Sequence, residues 1–528
     1  MKKLQVWWPF FAAITMILGM YIGFQLRSNI PESQGFFGGP KKASVQEVID
    51  LLQKKYVDSV HTDSLTDDAI QALLTKLDPH TVYIPAVYTT EANEDLKGNY
   101  EGIGVEYYII DDTINAVNIL KGGPSEKAGL QIGDKFIKVN DSLIAGKPIT
   151  NDGIRKLLRG ESGSQVKVNL LRGSKTIEAT IIRGNIPKYA VDAAYMIDAQ
   201  TGFIHLNVFS KSAFEEFMAS MESLQSNGMK KLIFDLRGNG GGILDEAIDI
   251  VDEFLDSTRL VVYTEGLHTK KQEYLCKRPG IFEKGEVVLL IDEFSASASE
   301  VVAGALQDWD RATIIGRRSF GKGLVQEPFD LSNGAQLRLT VSRYYTPAGR
   351  NIQKPFNGGR REYSDEVYER FHNGQMVNED SSKHTGPGFK TLVKGRTVYG
   401  GGGITPDYFI PFDTARLSAP LAGLFNKQNF SKFTYTYYLH QLPEFKQYKS
   451  SDAFLKEYTM SNNTWNQLVE QSKKDSVNLS SISASDKEEI QQRFKAQMAM
   501  QLYRTEGYYM VNNLRDKVVL KALEVLGK

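Results

Sequence analysis

Between Ala190 and about Pro411 the sequence alternates short apolar strand patterns with amphipathic helix patterns. This alternation is typical of an α/β domain built on a mostly parallel sheet. In such a sheet the functional side chains lie on the loops that follow the strands. The pattern therefore predicts an α/β core and directs attention to those loops. The predicted strands are 201–208, 231–236, 287–291, 312–315 and 336–345, and the predicted helices are 212–224, 243–254 and 299–309.

The length and composition restrict the class of protein. At 528 residues the chain is long enough for several domains of roughly 150 residues each. Its 63 Lys and Arg residues balance its 63 Asp and Glu residues, so no clustered basic surface for nucleic acid is indicated. The single cysteine, Cys276, excludes an internal disulfide and a cysteine-based metal site, and the seven histidines show no pair at ligand spacing. We expect no nucleic-acid partner, no metal site and no cofactor.

An uncharged apolar run from Trp7 to Phe24 interrupts this composition near the N-terminus. As a helix it is long enough to cross a hydrocarbon core of about 30 Å. No convincing cleavage site precedes Arg27, which favours an uncleaved single-pass anchor over a removed secretory signal. Lys2 and Lys3 predict a cytoplasmic N-terminus, so the rest of the chain is expected on the extracytoplasmic, periplasmic side of the cell membrane.

The remaining chain divides by pattern into further regions. After an anchor or signal segment at 1–28, residues 29–98 predict a linker and a small helical region. Residues 99–186 form a strand-rich module, 187–412 the α/β core, and 413–528 a helical, Tyr-rich C-terminal region. Within the core, the polar stretch 357–388 predicts an insertion or flexible loop. In the last region, Ser485 and Glu488 have the spacing of a capping box that opens a helix.

The clearest chemical signal lies between Val287 and Leu306, where a buried strand pattern runs through small residues into an apolar helix. A serine such as Ser297 would then lie at the helix N-terminus, where free N–H groups and the helix dipole favour developing negative charge. That position suits a nucleophile whose tetrahedral intermediate needs an oxyanion hole. The same residue types also serve as plain helix caps, and the pattern alone leaves both interpretations open.

A serine nucleophile needs a base, and the next loop offers Lys322 between two glycines. A lysine desolvated at the same sheet edge could be neutral enough to take the serine proton. The alternative is a solvated Gly-Lys-Gly turn. Residues Gly316 to Gly323 also come close to a phosphate-binding loop, but the Ser/Thr that binds magnesium and the following helix are missing, which argues against nucleotide binding.

A glycine cluster, Asp235-Leu-Arg-Gly-Asn-Gly-Gly-Gly242, follows another predicted strand. Adjacent glycines allow close approach of the backbone to a ligand and can direct N–H groups inward, as an oxyanion hole requires. A simple tight turn is the alternative. The order of glycines does not fit a dinucleotide fingerprint.

Taken together, these motifs resemble those of the carboxyl-terminal processing peptidases, the tail-specific serine proteases. The resemblance extends from near Val45 to Pro411 and implies a ClpP/crotonase-like α/β protease core with an inserted β-rich PDZ domain. No motif of the family is found after Pro411, and Gly240 stands where many members have proline. The motifs in chain order are Leu77-Asp-Pro-His80, Asp235 to Gly242, Phe294-Ser-Ala-Ser-Ala-Ser-Glu300, Phe320-Gly-Lys-Gly-Leu-Val-Gln326, Tyr345-Thr-Pro-Ala-Gly-Arg350 and Gly403-Ile-Thr-Pro-Asp407.

The resemblance implies a role for individual residues. Ser297 matches the nucleophile, Lys322 the general base and Gln326 the residue that orients the lysine. The backbone N–H groups of Gly242 and Ala298 match the oxyanion hole. The implied activity is that of a serine endopeptidase with a Ser–Lys dyad, which cleaves proteins that have flexible or apolar C-terminal tails.

The PDZ-like module implies a polypeptide partner. Gly102, Ile103, Gly104 and Val105 resemble the loop and strand start that hold a chain-terminal carboxylate, with the peptide added as an extra strand. Modules of this kind also occur in scaffolds and chaperones. A catalytically silent PDZ scaffold or chaperone-like binding protein is therefore the competing hypothesis.

Overall fold

A computed structural model of the chain describes residues 7–29, 44–378, 386–414, 417–426, 429–445, 447–474 and 476–527. Most of the predicted linker lies outside the described residues, as do Lys2 and Lys3 and residues 379–385 of the predicted loop at 357–388. The chain divides into two compact units, Met1–Leu73 and Leu74–Lys528.

The first unit is helical where it is described. Within the described residues, no helix has both the length and the apolar character needed to cross a membrane. The amphipathic second helix confirms the predicted helical pattern in this part of the chain. The helices are α1 (Trp8–Asn29), α2 (Ser44–Lys55) and α3 (Thr62–Leu74).

In the second unit a short segment precedes the strand-rich module, which folds around its own core. Strand β2 pairs with β9 and brings the two ends of the module together, so the module is an insertion closed at its base. Apolar side chains that alternate along the strands, such as Val166, Val168 and Leu170, form its core. The elements are β1 (Val82–Ile84), α4 (Thr89–Lys97), β2 (Asn99–Gly102), β3 (Val105–Ile110), β4 (Thr113–Ile119), α5 (Pro124–Lys127), β5 (Lys135–Val139), β6 (Ser142–Leu143), α6 (Asn151–Leu158), β7 (Gln165–Arg172), β8 (Lys175–Ile182) and β9 (Gly184–Pro187).

The α/β core that the alternation predicts is a six-stranded sheet in the order β10-β11-β12-β15-β16-β21, in which β21 spans Tyr408–Phe409. All neighbours in this sheet are parallel except β10 and β11. The central strands are buried on both faces, which accounts for their continuous apolar runs. The elements are β10 (Val191–Met196), β11 (Thr201–Leu206), α7 (Ala213–Ser226), β12 (Lys231–Asp235), α8 (Leu244–Asp252), β13 (Leu260–Glu265), β14 (Gln272–Leu275), β15 (Glu286–Ile291), α9 (Ala298–Asp308) and β16 (Thr313–Gly316).

A second sheet has the order β1-β18-β13-β14, with β17 paired to β18. The prediction of a loop at 357–388 is wrong for its first half, because helix α10 begins at Gly359. Few apolar residues mark this helix, and it is held instead by polar contacts: the Tyr363 hydroxyl accepts from the side-chain amide of Gln353, and the buried Arg370 donates to the Ser319 carbonyl. The elements are β17 (Leu324–Asp330), β18 (Gln336–Tyr345), α10 (Gly359–His372), β19 (Gly388–Lys390), β20 (Thr397–Tyr399) and β21 (Tyr408–Phe409).

The C-terminal region is helical, as predicted. Its long helix begins two residues earlier than the Ser485 pattern suggests, because the Ser483 hydroxyl accepts a hydrogen bond from the N–H of Asp486. The last two helices pack on one face of the six-stranded sheet through Met510, Val519 and Ala522, and helices α7, α8 and α9 cover the other face. The elements are α11 (Ala419–Asn426), α12 (Asn429–Phe445), α13 (Ser451–Glu457), α14 (Asn462–Lys474), α15 (Ala484–Asn512) and α16 (Lys517–Gly527).

Candidate active site

Three adjacent strands of the parallel sheet, β12, β15 and β16, bring the predicted chemistry to one edge. The glycine turn follows β12, the Ser297 turn follows β15, and the Lys322 loop follows β16. A cleft of about 790 Å³ opens at this edge and is also lined by β17 and α4. The residues predicted to act in catalysis all line this cleft. They are Ser297, Lys322, Gln326, Gly242 and Ala298.

Ser297 occupies the turn between β15 and α9 with φ +56° and ψ −114°. A side-chain-bearing residue seldom adopts this backbone conformation, and such strain concentrates at functional sites. Of the three serines in this turn, Ser295 and Ser299 donate their hydroxyl groups to the backbone carbonyls of Leu236 and Asn239. Ser297 is the one that lines the cleft. The structure thus separates two structural serines from one that a substrate can reach.

The glycine turn lies directly against the Ser297 turn. A Cβ atom on Gly241 would approach the Ala296 carbonyl oxygen to 2.7 Å and the Ser297 Cβ to 2.8 Å, and φ at Gly241 is +99°. Gly242 forms a parallel bridge with Phe209. The hydrogen bonds of that bridge use the Gly241 carbonyl and the Ile243 N–H, so they do not consume the N–H of Gly242. The turn therefore has a structural reason for its glycines, and its bridge to Phe209 does not use the N–H of Gly242, which lines the cleft.

Lys322 reaches the same cleft on the loop between β16 and β17. Its Nζ donates to Oε1 of Gln326 at 3.0 Å. Burial lowers the pKa of the lysine, an effect that the carboxylates of Glu300 and Asp78 partly oppose. A lysine with a lowered pKa can be neutral near physiological pH and can then accept a proton.

Sequence reasoning missed two residues that hold the Ser297 and Lys322 loops together. Glu300 is fully buried, and its carboxylate accepts hydrogen bonds from the N–H groups of Ser297, Gly321 and Lys322 at 2.9, 2.7 and 2.8 Å and from the Ser319 hydroxyl at 2.5 Å. The phenol of Tyr344 donates to the carbonyls of Ser297, at 3.0 Å, and Lys322. The spacing of Ser297 and Glu300 is that of a capping box and could have identified the glutamate. No local pattern points to Tyr344.

The peptide-binding residues predicted for the module lie apart from this cleft. Gly102, Ile103 and Gly104 line a separate groove of about 120 Å³ together with residues of α6. Val105 is not part of its lining and begins strand β3, whose neighbour on one side is β4 and whose other side is a sheet edge. An edge strand beside a small apolar groove is suited to the addition of a peptide strand.

Comparison with known families agrees with this division of the chain. The model of peptidase family S41 matches residues 200–359, the PDZ domain model matches residues 101–182, and a family of unknown function matches residues 421–504. The stretch that holds Ser297, Lys322 and Gln326 therefore falls inside the peptidase match.

Individual relatives carry the same description. The carboxy-terminal-processing protease of Bartonella bacilliformis is 33% identical over 313 residues, which cover 58% of this chain and 71% of the relative. The probable CtpA-like serine protease of Staphylococcus epidermidis is 32% identical over 311 residues, which cover 58% of this chain and 62% of the relative. A solved structure of the photosystem II D1 C-terminal processing protease is 28% identical in sequence. The match covers 58% of this chain and 89% of that chain, with a TM-score of 0.34.

The match to the Bartonella protein covers more than two thirds of that protein at 33% identity. The chain also matches the models of the peptidase family and the PDZ domain. The resemblance predicted from the ordered motifs is confirmed, and the silent scaffold is not favoured. The chain belongs to peptidase family S41, the carboxy-terminal-processing serine proteases that combine a peptidase core with a PDZ domain.

Proposed function

We propose that this peptidase cleaves proteins with flexible or apolar C-terminal tails by a dyad of Ser297 and Lys322. The observation that carries the proposal is that both residues line one cleft with the glycine turn. The lowered pKa of Lys322 supports its role as general base. The hydrogen bond from its Nζ to Gln326 supports the role of Gln326 in orienting it.

In the proposed acylation step, neutral Lys322 accepts the proton of the Ser297 hydroxyl as Oγ attacks the scissile carbonyl carbon. The resulting oxyanion accepts hydrogen bonds from the N–H groups of Gly242 and Ala298. The lysine ammonium then gives its proton to the leaving amine as the C–N bond breaks. A water molecule, deprotonated by the same lysine, hydrolyses the ester and releases the free serine.

The groove of the PDZ domain supports the proposed substrate class. The groove combines the backbone of Gly102 to Gly104 with the apolar side chains of Ile154 and Leu158. Such a site fits a peptide whose last residue has a free carboxylate and an apolar side chain. Arg159 of this groove pairs with Glu94 on α4 at 2.7 Å, and α4 also lines the catalytic cleft. The groove and the cleft are therefore connected through one short helix.

The direct test compares the full chain with Ser297→Ala on a protein that ends in an apolar, unstructured tail. We expect the wild-type protein to cleave the tail and the variant to bind it without cleavage, because only the nucleophile is removed. Cleavage is followed by mass spectrometry and binding by fluorescence anisotropy of a labelled tail peptide. Cleavage by the variant at the wild-type rate would exclude Ser297 as the nucleophile.

We further propose that residues 7–24 anchor the protein in the cell membrane as a single-pass segment, with the peptidase on the extracytoplasmic, periplasmic side. The support is the uncharged apolar sequence that follows Lys2 and Lys3. Extraction of membranes at alkaline pH should leave the protein in the pellet, and protease added outside the cytoplasmic membrane should digest the peptidase core. Release of the protein by alkaline extraction would contradict the anchor.

A further inference from the structure

The turn Asp78-Pro-His-Thr81 belongs to the Leu77-Asp-Pro-His80 motif, to which the site described above gives no role. A single carboxylate fixes this turn. Asp78 Oδ1 accepts the N–H groups of His80 and Thr81 at 2.8 and 3.0 Å and the Thr340 hydroxyl at 3.0 Å, and Oδ2 accepts the Thr81 hydroxyl at 2.6 Å. Burial raises the pKa of Asp78, but these hydrogen bonds outweigh burial and the pKa lies below its ordinary value. The carboxylate is therefore ionised at neutral pH and holds the turn closed.

The turn ends beside the proposed general base. The side-chain amide of Gln326 donates from Nε2 to the backbone carbonyl of His80, and its Oε1 accepts from Lys322 Nζ at 3.0 Å. A carbonyl oxygen can only accept a hydrogen bond, so it determines which end of the amide faces it. With the NH₂ group held by His80, the oxygen must face the lysine. A flipped amide would instead place its oxygen against the His80 carbonyl oxygen, so that two acceptors would face each other.

His80 is held from its other side as well. Its Nε2 lies 2.8 Å from the hydroxyl of Tyr363 on α10, and the ring meets the Tyr363 ring edge-on at 5.2 Å. Burial and the nearby Lys322 lower the pKa of His80 to about 4, so the ring is neutral at neutral pH. The following strand β1 pairs with β18, with Val82 opposite Arg338. The His80 carbonyl thus has a fixed position relative to the cleft.

We propose that Asp78 is a positioning residue for catalysis, which holds the His80 carbonyl in place to orient Gln326 and, through it, the general base Lys322. Asp78 does not touch the substrate in this proposal. The role rests on the proposed Ser297–Lys322 mechanism and extends it to a segment that precedes the PDZ domain, far from the base in sequence.

The experiment measures kcat and KM of the full chain on a labelled tail peptide. Asp78→Ala should lower kcat at least about 10-fold and leave KM within about two-fold, because a misplaced catalytic group costs rate and not binding. Asp78→Asn should restore most of the rate, since its amide oxygen can still accept the two backbone N–H groups. The matched control is Asp198→Ala, which removes the same kind of turn carboxylate, bonded to the N–H groups of Gln200 and Thr201 at 2.8 Å each. Asp198 does not line the cleft, so the Asp198→Ala variant should keep the kcat of the wild-type protein.

A double variant distinguishes positioning from general loss of structure. In the Gln326→Ala background, adding Asp78→Ala should change kcat by less than about two-fold, because the path to Lys322 is already broken. If Asp78→Ala does not fold, Tyr363→Phe, which loosens His80, replaces it in the same cycle. The inference is overturned if the Asp78 or Tyr363 variant keeps wild-type kcat, or lowers kcat equally with and without Gln326. Failure of the proposed function is a separate result, in which the wild-type protein does not cleave or Ser297→Ala still does.

Discussion

Lys322 is the residue whose ionisation sets the activity in the proposed mechanism. Burial lowers its pKa, so the neutral base forms at a lower pH than for a free lysine, whose pKa is about 10.4. We expect kcat/KM to rise with pH as the ammonium loses its proton and to level off below that value. Lys322→Arg should be inactive at every accessible pH, because arginine stays protonated. The measurement is a pH–rate profile with a tail peptide. A rise with the pKa of a free lysine, or an active arginine variant, would contradict this role.

Single residues that line the cleft could be proposed from the sequence where a local pattern marks them. Ser297 stands at a strand-to-helix turn and Lys322 between two glycines, and both features are visible within a few residues. Tyr344 and Asp78 could not be assigned in this way. Their contacts to Ser297, Lys322 and Thr340 join segments that are far apart in the chain, and only the folded sheet brings those segments together.

The glycine turn after β12 is an element whose backbone shape decides whether the proposed oxyanion hole can form. Gly241→Ala would place a Cβ 2.7 Å from the Ala296 carbonyl oxygen and 2.8 Å from the Ser297 Cβ. Because these turns carry the proposed nucleophile and a proposed oxyanion-hole donor, we expect kcat to fall by about 100-fold, the range seen when an oxyanion-hole donor is lost.

The matched control for that substitution is Gly228→Ala. Gly228 has a similar φ of +93°, but the nearest atom to its added Cβ is the Ala199 carbonyl oxygen at 3.9 Å. It should lose about 1–2 kcal/mol of stability from backbone strain alone and keep its kcat. Both variants are assayed for peptide cleavage and for thermal unfolding. Equal losses of kcat in the two variants would show that strain, and not contact with the Ser297 turn, causes the effect.

Elements were predictable where an apolar period marks them. Strand β18 has the bounds that the sequence predicted, and the strand and helix on either side of Ser297 differ by one residue at their starts. Helix α10 was missed because polar contacts hold it. Its Glu366 accepts from Arg370 and Lys354 at 2.6 and 2.9 Å, and Arg370 donates to the carbonyls of Ser319 and Phe320. No apolar period encodes such a helix, although it supports the loop that carries Lys322.

At the scale of the whole molecule, the C-terminal helices contact both the PDZ domain and the peptidase core. The Tyr435 hydroxyl donates to the Ala116 carbonyl at 2.8 Å, and Arg504 pairs with Glu106 on β3, beside the peptide groove. On the core side, α15 and α16 bury apolar side chains against the six-stranded sheet. The helices therefore fix the PDZ domain relative to the catalytic cleft as well as covering the sheet.

The C-terminal helices also contact the glycine turn. Arg237, which begins the turn after Asp235, donates to Asp516 at 2.7 Å and pairs with Asp235 at 2.6 Å. The Arg237 carbonyl also lies 3.3 Å from Nε2 of His205, which in turn lies 3.0 Å from the hydroxyl of Tyr509. The C-terminal helices thus brace the turn that supplies the Gly242 N–H.

Asp516→Asn tests this brace, because asparagine can still accept from the N–H of Val518 at the start of α16 but lacks the charge that Arg237 requires. We expect the free energy of unfolding to fall by about 1–3 kcal/mol, as for a hydrogen bond between charged groups. We also expect kcat to fall several-fold, since the glycine turn loses one of its supports. Glu488→Gln is the control, because it breaks the surface pair with Arg515 in the same region and should cost no more than about 1 kcal/mol with no loss of kcat. Denaturant unfolding and peptide cleavage measure the two effects. If Asp516→Asn lost stability but kept its kcat, the C-terminal helices would stabilise the core without positioning the turn.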